Sequence, residues 1–348
     1  MKSNGKFVAQ MLKTSALGYA GLATSLLFER HPEIAKRYEP DGFANWKAQL
    51  QRWILDLSAA LATSEPKLFE ARMLWTKSSF LALEVPTEVL PAALEALRDT
   101  LRERLPEDSA EIAVQPVDLA LDAVADPALG TGCVDAPAGR AVLSYLEAIL
   151  DGKPQEAIEQ LLASVKDEIS ARDAYLEVLL PASRETGRLW HAGELSIAEE
   201  HVITTTTQRA MTLVCERGRP SSRMDKTVLL ACVAGNVHEI GIRAIADFFE
   251  IAGWRAIFLG ADVPHEEIAR SVPAFDADVV VLAATLPPHL GEAQRAIEAI
   301  RALDNSAAKV IVGGTAFEQL PDLWKKIGAD GYAATVEEAE PLGSRLTR

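Results

Sequence analysis

Thr227-Val-Leu-Leu-Ala-Cys-Val233, followed at once by Ala234-Gly-Asn-Val-His-Glu-Ile-Gly241, is the stretch on which the fold turns. The first segment is an unbroken apolar run of strand length, the mark of a strand buried on both faces. Helical periodicity then takes over at 239–252. The alternation continues with strands at 255–259, 279–284 and 309–312, and Gly331-Tyr-Ala333 ends the series; helices are expected at 264–272, 290–303 and 317–327. Strands separated by helices on short turns predict a parallel, flavodoxin-like sheet covered on both faces. In such sheets ligands gather at the carboxyl ends of the strands. The first end carries His238 between Gly235 and Gly241. The third carries Thr285-Leu-Pro-Pro288 and the fourth Gly313-Gly314. His265 and His289 read as surface residues near helix starts, and Glu239 as a solvated or capping residue.

Upstream, 140–217 holds four helical blocks, at 140–151, 154–169, 171–191 and 196–217, joined by very short connections. That is the rhythm of a four-helix bundle set against the sheet as a cap. The Pro/Gly and small-residue stretch 126–139 reads as a linker. Before it, 1–125 is helical: Phe43-Trp46-Leu50-Trp53-Leu57 and Leu90-Leu94-Leu97-Leu101-Leu105 recur at three and four, with breaks at Pro32, Pro40, Pro66, Pro86 and Pro106. The fold class is thus α and α/β multidomain, with an all-helical domain, a bundle cap and a sheet domain at 226–340. No internal repeat is visible.

Composition sets limits on function. The 348 residues are 49% hydrophobic and 24% charged, ordinary for packed globular domains. A formal net charge of −15, without a basic run, argues against direct nucleic-acid binding. Cys133, Cys215 and Cys232 lie far apart, without zinc or disulfide spacing, so a reducing cytoplasm is expected. Leu12–Phe28 imitates a secretory leader but is rich in small and hydroxyl residues and lacks a convincing cleavage site. No other stretch approaches a membrane span.

The His238 loop, Thr285 and Gly313-Gly314, in that order, resemble the cobalamin-binding domain shared by methionine synthase, the mutases and the CarH-type photoreceptors. The resemblance covers about 226–340. It implies that His238 is the lower ligand to cobalt and that Thr285, Gly313 and Gly314 line the pocket for the cofactor's nucleotide tail. One position departs from the Asp-x-His-x-x-Gly pattern: the acid is Asn236 here, which can orient an imidazole but supplies no charge to it. The response-regulator alternative for such a domain needs an acidic cluster and a phosphoacceptor Asp, and neither is present.

In the cap, Trp190 followed after nine residues by Glu200-His201 resembles the signature of CarH-type photoreceptors. The resemblance implies that Trp190 packs on the adenosyl group of adenosylcobalamin, that Glu200 and His201 lie on the upper face, and that His191 becomes the upper cobalt ligand after light. Aromatic stacking and acceptance from ribose hydroxyls suit these residue types. The helical first domain resembles globin-like sensors; its only histidine, His31, precedes Pro32, which disfavours haem. With the cap and sheet it looks like the photocobilins, implying biliverdin as a second, non-covalent chromophore, with Arg52 or Arg72 to meet its propionates. The expected function is a light sensor without turnover, a light-dependent homo-oligomer acting through itself or a separate output protein. Two rivals stand beside it: a corrinoid methyl carrier of a methyltransferase system, and a cobalamin-responsive regulator indifferent to light.

Overall fold

The computed structural model describes residues 2–82, 85–127, 139–167, 170–303, 307–318 and 322–348. Most of the expected linker, 126–139, lies outside the described residues, as does Cys133. The chain divides into two compact units, Met1–Val134 and Asp135–Arg348.

Six helices form the described part of the first unit: α1 (Lys2–Arg30), α2 (Pro32–Arg37), α3 (Gly42–Thr63), α4 (Lys67–Ala82), α5 (Val89–Arg104) and α6 (Glu107–Ala125). Pro32 and Pro66 stand at or just before helix starts and Pro106 at an N-cap, where a missing N–H costs nothing. Val8, Leu12, Ala16, Ala20, Ala23 and Leu27 form the buried stripe of α1, and the three alanines at its middle let α3 lie close along it. The leader-like 12–28 segment supplies Leu12, Ala16, Ala20, Ala23 and Leu27 to this core, while Leu17 and Leu22 are exposed. Among the described residues no helix is long and apolar enough to cross a membrane. Trp46, Leu50, Trp53 and Leu57 are the matching stripe of α3, and Ser58 Oγ donates to the Ala9 carbonyl at 2.8 Å. Trp46 meets Tyr38, Trp53 and Phe80 edge to face.

In the second unit the cap comprises α7 (Arg140–Leu150), α8 (Pro154–Asp167), α9 (Ala171–Ala174), a π-helical turn (Tyr175–Leu179), α10 (Leu180–His191) and α11 (Ile197–Gly218). The π turn joins α9 and α10 into one rod. Leu180 N–H reaches back to Tyr175 O just before Pro181, which has no N–H to offer. Ser170 and Ser196 start α9 and α11 with reciprocal capping boxes to Asp173 and Glu199.

The sheet runs β2-β1-β3-β4-β5, all parallel: β1 (Thr227–Val233), β2 (Arg255–Val263), β3 (Val279–Ala283), β4 (Lys309–Gly313) and β5 (Gly331–Ala333). The expected fold class, helices followed by a doubly wound parallel sheet, is the one observed. The order reverses between β1 and β3, so their carboxyl ends frame the switch-point crevice. Its helices are α12 (Ile240–Ile251), α13 (His265–Phe275), α14 (His289–Arg301), α15 (Thr315–Glu318), α16 (Leu323–Lys326) and α17 (Val336–Leu346).

Three differences from expectation have physical causes. β2 extends to Val263 because two register shifts against β1, at Gly260 and beyond, carry it past the apolar run. The single helix expected at 317–327 is instead two short ones, with 319–321 outside the described residues. Gly331-Tyr-Ala333 does not end the fold: α17 follows, burying Ala339 and laying Gly343 beneath the Phe249 ring. Its internal Pro341 and its acids Glu337, Glu338 and Glu340 disguise it, although Val336, Ala339, Leu342 and Leu346 keep a helical spacing. The cap and sheet share one core, since Ala244 and Phe248 of α12 pack among Tyr145, Ile158, Tyr175, Ile203 and Met211.

Asp56 is buried in the first unit with Arg72 Nε 3.2 Å away. Burial raises its carboxyl to about 6, against the pull of Arg72. Between its unfolded value and about 6 the folded state binds more protons than the unfolded one, so this unit loses stability as pH rises across that window, by about 3 kcal/mol. Urea titrations from pH 4 to 7 should show this decline for the wild type, and Asp56→Asn should flatten it.

Candidate functional site

The β1 end is built around one buried side chain. Asn236 is fully buried; its Nδ2 donates to the Ala283 carbonyl at the end of β3 (2.9 Å), and its Oδ1 accepts from His238 N–H (3.2 Å). Those two backbone partners fix which way the amide faces. The same Oδ1 lies 3.2 Å from His238 Nδ1. An amide oxygen can only accept, so Nδ1 carries the proton and Nε2 keeps its lone pair. His238 is exposed, and so is Val237 beside it (67%).

Two groups clamp this loop from outside. The bulged end of β2 brings Asp262, itself at φ 54°, to accept the Gly235 N–H at 2.6 Å. Asp262 N–H in turn donates to the Asn236 carbonyl at 3.0 Å. Gly235 adopts φ 80°, a region that favours glycine. On the other side stands His289, and here the sequence reading needs correction: it is buried (6% exposed). Its Nδ1 accepts from Thr285 N–H (3.3 Å) and Leu286 N–H (3.1 Å), and the ring hydrogen-bonds the Gly235 backbone. Burial, and next the neighbouring His238, push its imidazole down to about 4. The Pro287-Pro288 turn folds this histidine back under the β3 end, which helix-start position alone does not reveal. His265 stays half exposed beside Glu266.

Thr285 is half buried, and its carbonyl accepts from Thr315 Oγ1 at 2.7 Å. At Gly314, φ is 100° and an added Cβ would stand 2.3 Å from the Ala284 carbonyl oxygen; at Gly313 it would stand 3.1 Å from Ala333 O. The two glycines thus let β4 draw close to its neighbours. At Gly241 an added Cβ would meet nothing within 4 Å, so the first turn of α12 faces open space.

Trp190 and His191 close α10, and Glu200 and His201 open α11, so the short 192–196 turn brings all four to one end of the bundle. Trp190 is half exposed (47%), its ring tilted against His191 with centroids 5.9 Å apart. Glu200 accepts from Thr204 Oγ1 (2.6 Å) and pairs with His201 Nδ1. One helical turn further, Gln208 Nε2 donates to Glu239 Oε1 at 2.7 Å. Glu239 is thus a tie between cap and His238 loop rather than a merely solvated residue. Glu200, Thr204, Gln208 and Thr212 lie four apart on one stripe of α11, a spacing legible in the sequence but not singled out there. Thr212 Oγ1 accepts from Arg243 of α12 (3.2 Å), which also pairs with Asp247.

In the first unit the bilin candidates have other partners. Arg72 is held by Asp56 and lies over the Trp75 ring (4.2 Å), and Arg52 donates to Gln49 Oε1 (2.9 Å). Trp53 and Phe69 are fully buried core.

The donor set suits a large planar metal macrocycle: one exposed imidazole whose Nε2 keeps its lone pair, open space at Gly241, and the exposed Val237 beside the histidine. Comparison with known proteins agrees. Residues 226–340 match the family described as B12 binding domain, and 144–214 match a second family of the same description. The second unit is a cobalamin-binding module. It is similar to a corrinoid protein of Desulfitobacterium hafniense (24% identical over 206 residues, 58% of this chain and 94% of that protein). Dimethylamine corrinoid protein 1 of Methanosarcina acetivorans is 27% identical over 199 residues, 55% of this chain and 91% of its own. The HTH-type transcriptional repressor CarH of Myxococcus xanthus is 28% identical over 162 residues, 47% of this chain and about half (54%) of its own. The fold is shared with the Methanosarcina barkeri monomethylamine corrinoid protein (TM-score 0.50, 18% identity, 58% of this chain, 96% of that one).

Gly314→Ala tests the close approach at the crevice. The contact with Ala284 and the positive φ should together cost about 3 kcal/mol, read as a lowered urea midpoint with unchanged slope.

Proposed function

We propose that this protein is a light-responsive regulator that holds adenosylcobalamin base-off on His238. The Trp190–His191 and Glu200–His201 end of the bundle covers the upper face. The observation that carries the reading is the placement of these four residues at one end of the cap, with a half-exposed indole, in the same module as an exposed histidine turned by Asn236. When bound, the cofactor supplies a cobalt–carbon bond that green light breaks.

The chain's own residues have separable tasks in this reading. Asn236 orients His238 without adding charge. Thr285, Gly313 and Gly314 border the nucleotide tail, and Gly241 leaves room for the ring. About 12 Å of α11 axis separates the Gln208–Glu239 tie from Glu200, space for a planar ring and its upper group. Trp190 would stack on the adenosyl group, Glu200 would accept from ribose hydroxyls with His201 at its side, and His191 would supply an imidazole to cobalt. The response is a change in subunit association in the cytoplasm, read out by a separate partner. Biliverdin in the first unit, held without a covalent bond, belongs to the same reading; because Arg72 is committed to Asp56, Arg52 is the better candidate for a propionate.

One observation favours a second reading, a corrinoid methyl carrier: relatives named as corrinoid proteins match this module over 94% and 91% of their own lengths. A carrier needs an accessible upper face, and the Trp190 cover opposes that.

Illumination separates the two. Adenosylcobalamin-loaded protein should change its absorbance and its size-exclusion volume after green light, and His191→Ala should photolyse without acquiring a bis-imidazole spectrum. An unchanged spectrum and volume, with methylcobalamin accepted and demethylated by a partner methyltransferase, would establish the carrier. Co-expression with a bilin source should yield a red-absorbing pigment that denaturation releases.

A further inference from the structure

We infer that His289 is a positioning residue for the cobalt ligand: through Gly235 it sets how the β1 loop presents His238. The inference rests on His238 being the lower ligand and adds a residue to that arrangement.

Nδ1 of His289 accepts two backbone N–H groups, from Thr285 and Leu286. A ring nitrogen that accepts carries no proton, so the proton of the neutral ring is on Nε2. That edge faces Gly235, and the ring hydrogen-bonds the Gly235 backbone. The Gly235 N–H is already given to Asp262 Oδ1 (2.6 Å), so the acceptor is the Gly235 carbonyl. His289 therefore joins the β3 end, through Thr285 and Leu286, to the peptide that precedes Asn236. Asn236 makes the second bridge between the same two strand ends, from its Nδ2 to the Ala283 carbonyl. His238 hangs from the peptide between these bridges, with its ring turned by Asn236 Oδ1. Removing His289 leaves the Gly235 carbonyl and the amides of Thr285 and Leu286, just past β3, without this partner and frees one end of the loop. His289 and His238 must hold opposite tautomers, Nε2–H and Nδ1–H. Only then does His238 present Nε2 outward while His289 holds the loop.

The imidazole's two bonds can be separated chemically. His289→Asn keeps an acceptor near Nδ1 but cannot reach Gly235; His289→Gln reaches Gly235 with an N–H. The full chain is loaded with hydroxocobalamin and reduced to cobalt(II), and electron paramagnetic resonance reads the axial nitrogen splitting. Protein labelled with 15N should turn the triplet into a doublet, marking the nitrogen as the protein's own. His289→Gln should keep that signal, whereas His289→Asn should lose most of it and release cobalamin about tenfold faster. Equal signals in the two variants, or equal losses tracking stability, would overturn the inference.

If neither variant folds, the wild-type cofactor-free protein decides. Long-range 15N spectra should show His289 protonated at Nε2 and His238 at Nδ1, and a proton on His289 Nδ1 would overturn the proposal. Failure of the underlying reading looks different: the 15N doublet would be absent from wild type, or would persist in His238→Ala.

Discussion

The site depends on a single buried amide. Asn236 sits where the chain leaves β1, and its two ends have opposite chemistry: a donor for the Ala283 carbonyl and an acceptor for His238. A carboxylate there would need a proton to satisfy the Ala283 carbonyl while still accepting from the histidine. Asparagine meets both demands without titrating. What the Asp of the resembling domains would add, a negative charge behind the imidazole, is given up. What it would do geometrically, turning the ring so that Nε2 points out, is kept. For the cobalt site proposed above, the consequence would be an oriented but electrostatically unassisted donor.

The amide can do this because the sheet places its partners. Only at the reversal between β1 and β3 do two adjacent strand ends diverge enough to admit a ligand while remaining close enough to be bridged by side chains. Around that reversal Gly235, Gly260, Asp262 and Gly314 all take positive φ. Three of these lie on the β1 and β2 side, where the bulged β2 bends in to hold the loop with Asp262. Gly314 lies on the β4 side, pressed against Ala284. The crevice is thus held by strand ends, and the helical cap is tied to it by the Gln208–Glu239 hydrogen bond and by shared packing on α12.

The sheet and bundle were readable because period and punctuation agree: apolar runs of strand length, short turns, and prolines at helix starts. The features that were not readable are those set by tertiary neighbours. α17 carries its apolar spacing beneath a dense acidic pattern and an internal proline. β2 outlasts its apolar run because pairing with β1 continues through a bulge. His289 looks like a polar helix-start residue until the Pro287-Pro288 turn folds it under β3, where Thr285 and Leu286 amides await it. The glycine-flanked histidine at a strand end was legible, and the structure places it exposed at the β1 end. Its support was legible only in part: the sequence shows an amide at 236, and the geometry adds that this amide turns the imidazole.

What separates a sensor from a carrier lies outside all of this. Both need a lower histidine, a tail pocket and a sheet, so likeness over 226–340 cannot choose between them. The choice falls on α10 and α11. An indole left half exposed on a well-capped bundle forgoes about 2 kcal/mol of available burial, an arrangement that persists where something else covers the ring. Trp190 is one such ring, Ile197 (65% exposed) lies on the same end of the bundle, and Val237 (67%) is exposed beside His238. In the proposed arrangement a slab-like ligand between cap and sheet would cover these side chains. A carrier that must hand its upper face to another protein would gain little from a fixed indole above it, whereas the sensor proposed above would gain a group whose packing changes when the upper ligand leaves. His191 is next in the chain and in ring contact with Trp190, so in that proposal a change in one would be felt by the other.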